Sequence, residues 1–287
     1  MALNSSKNID HGNYIPTPIV PGMKVADGEH IRKVFVLSTA DVAAGAGAAE
    51  QEALVGAVVG STGSPTIKAV TEPTTEPVTS TGSVTGLPSI PSNIEVGADA
   101  TLDLTVIVLP GVSARVPLTI DLTGANSEVR LSGIYLCSGN DDMTFDITMH
   151  HRTGDCHSWQ TFNGLATGEA RCGFFGKIVI APDAQRTEAF QENHNILLSD
   201  TARVNTKPRL EIYADDVKCS HGATVGKLNE DEQFYMRSRG IPEEEAKILQ
   251  MISFVAPVLE SIPEETPDGS PCRSAVTGLV ENAIRRL

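Results

Sequence analysis

"ARCGFFGKIVIAPDAQRTEAF", residues 170–190, lies over "ARVNTKPRLEIYADDVKCSHG", residues 202–222, without a gap. Ala170, Arg171 and Asp183 fall on Ala202, Arg203 and Asp215. Lys177 meets Arg209, Ile178 meets Leu210, Ile180 meets Ile212 and Arg186 meets Lys218. The identities are few, but the apolar positions keep one phase. Stacked coils require that, because each coil buries the same face against its neighbour. Around this repeat, residues 96–228 form a train of short strands: "TLDLTVIVL", "ARVPLTIDL", "EVRLSGIYL", "MTFDITMHH", "GKIVIA", "HNILLS" and "RLEIYA", separated by Gly, Asn, Asp and Pro. No helical pattern separates them, so alternating βαβ units are excluded. A sandwich, a barrel or a solenoid remains, and the repeat favours a β-solenoid.

The flanks differ in composition. Residues 1–95 are rich in Gly, Ala, Pro, Thr and Ser; "IRKVFVLS" (32–39) reads as a strand, and 42–60 is ambiguous between weak helix and strand. Residues 61–92 hold too much Pro and Gly for a long regular element. This N-terminal region has room for first coils of the solenoid. From Asn229 to 287 the chain turns helical. Asn229 with Glu232 makes a capping box, and Gly240 ends that first helix. A second helix opens at Pro242 with three acids where the helix dipole favours them, and Pro257 should kink or end it. Ile248, Leu249, Ile252, Val255 and Leu259 give it an apolar stripe. The last helix starts at Ser270 and carries Arg285 and Arg286 at its C-terminal end. These helices are expected to pack on the solenoid's end and on each other, with room for a docking surface.

Composition narrows the function. With 40% hydrophobic and only 5% aromatic residues, the core should be aliphatic. A net charge of -14 argues against nucleic acid and against an anionic membrane as partner. No stretch reaches the ~20 apolar residues of a membrane span, and "MALNSSKNIDHGNYIP" lacks the regions of a signal peptide; a cytoplasmic protein is the expectation. Five widely spaced cysteines, with no Cys-x-x-Cys, make a poor disulfide framework and a poor structural zinc site.

The chemistry centres on Cys219 and His221. In an extended segment residues i and i+2 face one way, about 7 Å apart. Thiolate and imidazole together suit iron, zinc or an iron–sulfur cluster. The repeat puts Thr187 and Ala189 at the matching positions, so the coil itself does not demand this pair. Two donors cannot close a tetrahedral site, so further ligands must come from elsewhere in the fold or from another chain. A second cluster, His150, His151, Cys156 and His157, is less favourable. Neighbouring histidines on a strand point to opposite faces, and a glycine turn divides His150 from Cys156. His194 reads as a solvated or coil-corner residue. Asp141–Asp142 and Asp215–Asp216 read as loop acids rather than a glycosidase pair, since aromatic sugar platforms are scarce. "GATVGKL" is one residue short of a phosphate loop and has Leu228 in place of its Ser or Thr.

"KPRLEIYADDVKCSHGATVGKLNEDEQFYMRSRGI" (207–241), with "GFFGKIVIAPDAQRTEAFQENHNILLSDTARVNTKP" upstream, resembles the SufD family of the SUF iron–sulfur cluster assembly system. The likeness runs over residues 128–262 and more loosely from 96; residues 1–95 depart from the longer, helical start typical of that family. The resemblance implies a right-handed parallel β-helix over 96–228 and a helical domain over 229–287. It also implies a non-catalytic scaffold that pairs with the paralogue SufB and binds the ATPase SufC; whether the isolated chain forms a homodimer is left open by the sequence. It implies that His221, with Cys219 as the weaker candidate, serves a transient Fe–S cluster or iron at a subunit interface, with none expected in the isolated chain. It puts the ATPase contact on the C-terminal helices, where Phe234, Tyr235, Arg237, Arg239, Ile248 and Ile252 are the candidates. The rival readings are a homodimeric Fe–S or metal storage or delivery protein, and a metal-dependent hydrolase built on His150 and Cys156.

Overall fold

Alternating strands joined by short corners, without helices between them, can run parallel only if the chain winds. The structure, a computed structural model, describes residues 22–38, 90–265 and 272–287, and the backbone of 57–59. Its strands are β1 (Met23–Val25), β2 (His30–Leu37), β3 (Ala57–Val59), β4 (Asn93–Val96), β5 (Thr101–Val108), β6 (Ala114–Leu122) and β7 (Glu128–Cys137). They continue as β8 (Asp142–His151), β9 (His157–Ala166), β10 (Arg171–Ile180), β11 (Thr187–Leu197), β12 (Arg203–Ile212) and β13 (Val217–Gly226). Three helices follow: α1 (Glu230–Ser238), α2 (Glu243–Glu260) and α3 (Arg273–Ile284).

From β4 onward the chain visits two sheets in turn. One has the order β1-β4-β6-β8-β10-β12, the other β13-β11-β9-β7-β5-β2-β3. All pairings are parallel except β2 with β3. Each coil therefore lays one strand on each wall, which is the expected parallel β-solenoid. The repeat that pointed to it is the real register on the first wall: Arg171 pairs with Arg203, Lys177 with Arg209, Ile178 with Leu210 and Ile180 with Ile212. On the second wall the register moves by two residues. Ala189, not Thr187, lies beside Cys219, and Gln191, not Ala189, lies beside His221. The cause is a shorter corner: residues 181–186 join β10 to β11, but only 213–216 join β12 to β13. A two-residue shift preserves which face each side chain takes.

Inward residues build one continuous core that runs from Val25 through Leu104, Leu131, Phe145, Phe174 and Ile178 to Ala214. Aromatic rings form a spine through it: Tyr135, Phe145, Phe162 and Phe174 follow at centroid spacings of 5.6, 5.1 and 4.9 Å. Two of the rings, Phe162 and Tyr135, fit because their register neighbours in the adjacent coil are glycines. A Cβ at Gly133 would meet Phe162 at 2.3 Å, and one at Gly164 would meet the Tyr135 ring at 2.1 Å.

The helices do not cap the solenoid's end, as the sequence suggested. They lie on the outer face of the seven-stranded sheet, where Val34, Val36, Ile107, Ile134, Leu136 and Leu165 pack against Met251, Val255, Val258, Val276 and Val280. That face is apolar outside as well as inside at these positions, so a sheet side needed covering more than an end did. The inward face of α2 is Ala246, Gln250, Met251, Val255, Val258 and Leu259, rotated from the expected stripe: Leu249 stays exposed, and Ile248 and Ile252 are half-buried. Pro257 lies inside α2, which runs on to Glu260. α1 is capped as read, Asn229 Oδ1 accepting from the Asp231 and Glu232 amides at 3.0 and 3.3 Å. Glu232 Oε1 accepts from Asn229 Nδ2 at 3.1 Å, and Gly240 closes the helix at a φ of 89°. α3 begins at Arg273; Ser270, its expected start, lies outside the described residues, as do the readings of 42–60 and 61–92 apart from β3 and 90–92.

Candidate functional site

β12 and β13 are the last strands of their sheets, and each pairs on one side only. Their free edges expose a row of backbone donors and acceptors. Tyr213 is 63% exposed, with Val225 and Ile212 also open, which is unusual for large apolar side chains clustered at one end. Among the described residues no strand pairs on these edges, which leaves the C-terminal mouth of the solenoid open.

Cys219 and His221 stand in this mouth. Their register partners Ala189 and Gln191 are fully buried, so both side chains project toward the solenoid axis, on one face as expected. Cys219 is half-buried at the margin of the core, whereas His221 is exposed. Burial pushes the Cys219 thiol above its ordinary pKa, partly offset by a hydrogen bond with the Ala189 backbone. Among the described residues no group of three or more His, Cys, Asp and Glu stands close enough to hold a metal. The donor set of this chain at the mouth is thus one thiol and one imidazole, which is incomplete for a closed site.

Beneath His221 lies a column of polar side chains that sequence reading missed. In register order it runs Leu131, Gln160, Gln191, His221. Gln160 and Gln191 are buried, and Gln191 Nε2 donates to Gln160 Oε1 at 3.0 Å. Gln191 Oε1 and Gln160 Nε2 have no partner. The next two columns along β11 place Asn193 and Asn195 around the Tyr135 hydroxyl. Asn193 Nδ2 donates to that hydroxyl at 3.0 Å, the hydroxyl bonds Asn195 Oδ1, and Asn195 Nδ2 donates to Asn193 Oδ1 at 2.8 Å. Only the second-wall register reveals these columns, since hydropathy alone treats Gln and Asn as surface residues.

The other histidines are dispersed. His151 points inward, with Nε2 at 2.8 Å from Ser158 Oγ, and burial followed by the nearby His157 and His150 lowers its pKa to about 3. His150 faces outward, 3.1 Å from Asp121. His157 also faces outward and stacks on Trp159 at 5.9 Å. Cys156 is buried, its sulfur 3.2 Å from Ser127 Oγ and 3.3 Å from the carbonyls of Gly124 and Gly154. The four side chains of that cluster therefore do not converge. His194 is mid-strand in β11, 2.9 Å from Thr224 Oγ1, rather than at a corner. Asp141 serves a turn, Oδ2 accepting from the amides of Gly111 and Ser138 at 2.9 and 2.8 Å. Gly222–Gly226 of the phosphate-loop look-alike is strand, and Lys227 pairs with Asp200 at 2.7 Å. All five cysteines are free.

The helical candidates form a second open surface. Phe234 and Tyr235 are 72% and 59% exposed, and α1 buries none of its residues. Arg239 lies 5.3 Å over the Tyr235 ring, and Arg237 pairs with Glu243 at 3.5 Å. Behind Tyr235 a groove of about 770 Å³ opens between α1, α2 and β11, lined by Ile196, Leu228, Met236, Leu249 and Phe254 among others. Gln250 Nε2 ties α2 to α1 through the Asn229 carbonyl at 3.0 Å and Glu232 Oε2 at 2.8 Å.

A two-walled parallel solenoid with a thiol–imidazole pair at its last coil and helices on its flank places the chain among the parallel β-solenoid proteins. The profile of the family described as "SUF system FeS cluster assembly, SufBD core domain" matches residues 90–254, more than half of the chain, and the chain belongs to that family. It is 35% identical over 174 residues to the iron–sulfur cluster assembly protein SufD of Escherichia coli, covering 61% of this chain and 41% of that protein. An iron–sulfur cluster assembly SufBD family protein of Synechocystis is 49% identical over 94 residues, 33% of this chain and 21% of the relative. A SufBD family protein of Pyrococcus horikoshii is 32% identical over 173 residues, 60% of this chain and 38% of the relative. The chain thus spans about two fifths of the SufD it matches, and the likeness to SufD read from residues 207–241 stands.

Proposed function

We propose that this chain is a non-catalytic scaffold subunit for iron–sulfur cluster assembly. Its solenoid mouth pairs with a SufB-like paralogue, and α1 and α2 bind a SufC-like ATPase. The observation that carries this reading is the placement of Cys219 and His221 on the terminal, one-sided strand of an uncovered coil end. A second polypeptide adding its own strands to β12 and β13 would bring further donors to the same mouth, and the cluster or iron held there is cargo. His221, exposed at the mouth, is the principal ligand on this side; Cys219 is secondary because its thiol must first lose a proton that burial makes harder to remove. Phe234, Tyr235, Arg237 and Arg239 supply the exposed aromatic and cationic contacts to the ATPase, with the half-buried Ile248 and Ile252 of α2 as the apolar candidates.

Mixing the purified chain with a SufB-like protein and a SufC-like ATPase tests the assembly, and a stable mixed complex is the expected result. Indifference to both, with a homodimer on sizing and iron and sulfide bound to it, would replace the scaffold with a storage or delivery protein. On the mixed complex, His221→Ala should lower cluster yield roughly tenfold or more while pairing and folding persist. An unchanged yield would remove His221 from the site.

A further inference from the structure

The polar column under His221 has a property that a purely structural core would avoid. Gln191 is wholly buried, yet its amide oxygen has no donor. Its nitrogen is committed to Gln160 Oε1 at 3.0 Å, and its position is fixed from the opposite wall by Gly176, where a Cβ would stand 2.3 Å from Gln191 Nε2 and 2.7 Å from its Cδ. A larger residue in place of Gly176 would displace the amide. The neighbour on the mouth side of this column is His221, in register and on the same face, at the roughly 4.8 Å spacing of adjacent strands. An imidazole there carries the ring N–H that the orphan oxygen lacks.

We propose that Gln191 is a positioning residue for His221. Its Oε1 accepts a hydrogen bond from one ring nitrogen of the neutral imidazole, which holds the ring over the mouth and fixes the tautomer. The other ring nitrogen is then left unprotonated and facing outward, in the state that coordinates a metal. Gln160 stands behind Gln191 and sets its orientation in turn, so three successive coils contribute one residue each to a relay of aim rather than of protons. Gly176 provides the room. This inference rests on the reading of His221 as an interface ligand.

The test uses the full chain, alone and without cluster. With ¹⁵N-labelled histidine, long-range ¹H–¹⁵N spectra report the tautomer of each neutral imidazole, and the His221 signal is assigned by its loss in His221→Gln. The expected result is a His221 tautomer ratio shifted roughly 3- to 10-fold from that of a freely solvated histidine, the size one hydrogen bond produces. Gln191→Met and Gln191→Leu, which lack the oxygen, should return the ratio to the solvated value; Gln191→Glu, which keeps an acceptor, should preserve the shift. A solvated ratio in the unaltered chain overturns the proposal whether or not any variant folds, and so does a shifted ratio that survives in Gln191→Met. Because no cluster is involved, a failure of the His221→Ala yield test with the tautomer shift intact would dismiss the ligand role alone. The opposite pairing would dismiss only the role of Gln191.

Discussion

The two inner walls of this solenoid are made differently. On the six-stranded wall the inward residues of β8 and β10 include Met143, Phe145, Ile147, Met149, Phe174, Ile178 and Ile180, all buried and apolar. On the seven-stranded wall, apolar Leu102 and Leu104 of β5 and Val129 and Leu131 of β7 give way to Ser158 and Gln160 in β9. Gln191, Asn193 and Asn195 follow in β11, and then Cys219 and His221 in β13. Buried polar groups contribute to stability only when satisfied, and several here are not. The contrast teaches that the first wall holds the fold together, while the second, toward the mouth, gives up part of that contribution to polar side chains. The largest test of this division is Phe162→Ala. Phe162 is buried, lies over Gly133 and stands between Phe145 and Phe174 in the aromatic spine. Its loss opens a cavity that the opposite glycine cannot fill and should cost about 3–5 kcal/mol, read as a lower urea midpoint. A loss of less than about 1 kcal/mol would mean that the spine is not where the stability lies.

How far the fold could be read in advance follows from the same contrast. β6 was legible end to end, because Val116, Leu118 and Ile120 alternate with Arg115, Pro117 and Thr119. β9 went unrecognised: its inward residues Ser158 and Gln160 look like surface, and its outward Trp159 looks like core. β11 was read from "HNILLS" alone for the same reason, though it begins at Thr187. The Cys219–His221 pair was found because two metal-ligating side chains at i, i+2 make a signal independent of hydropathy. The glutamines below them make no such signal until the register is known, and the register was misread because corner length leaves little trace in composition. The helices were legible as helices but not in their seat. Their inward stripe says that they are covered, whereas the outward Ile107, Ile134 and Leu165 that cover them are spread over separate coils.

A smaller effect probes the polar wall where it is satisfied. Tyr135→Phe deletes a hydroxyl that accepts from Asn193 Nδ2 and bonds Asn195 Oδ1. Burial also raises the Tyr135 pKa, so the group stays a neutral donor across the accessible pH range. The ring volume is kept and Asn193 Nδ2 retains the Phe162 carbonyl, so the cost is that of one stranded acceptor, Asn195 Oδ1, about 1–2 kcal/mol. If the polar wall were water-filled and forgiving, thermal unfolding of the variant would match the unaltered chain.

The one histidine among the inward side chains of the six-stranded wall, as far as the described residues go, should make stability depend on pH. His151 is held neutral by burial, its pKa falling from 6.5 to about 3, whereas in the unfolded chain it protonates normally. Below pH 6.5 the unfolded state then binds more protons than the folded one, so stability is full above that pH and is lost progressively as pH falls toward 3. The slope contributed is at most about 1.4 kcal/mol per pH unit. Between pH 6 and 5, where carboxylates are still ionised, denaturant midpoints should drop in the unaltered chain and drop less in His151→Gln. Equal slopes in the two would show that the imidazole is solvated or charged inside.

The smallest expected effect is the most informative about what the polar wall is for. Replacing only Gln160 by Leu strands Gln191 Nε2 and should destabilise, because a buried donor loses its acceptor. Replacing both, Gln160→Leu with Gln191→Leu, extends the apolar column already begun by Leu131 and removes two orphaned atoms together with the bond between them. Swapping both partners for apolar groups of similar size is close to neutral, so the double variant should lie within about 1 kcal/mol of the unaltered chain, on either side. Stability measured by urea unfolding then separates two explanations of the glutamines. If the pair were there to hold coils together, the double variant would fall at least as far as Gln160→Leu alone. If the pair is there for the imidazole above it, the double variant keeps its stability and yet gives up the His221 tautomer preference, and a column of leucines would serve the fold as well as the glutamines do.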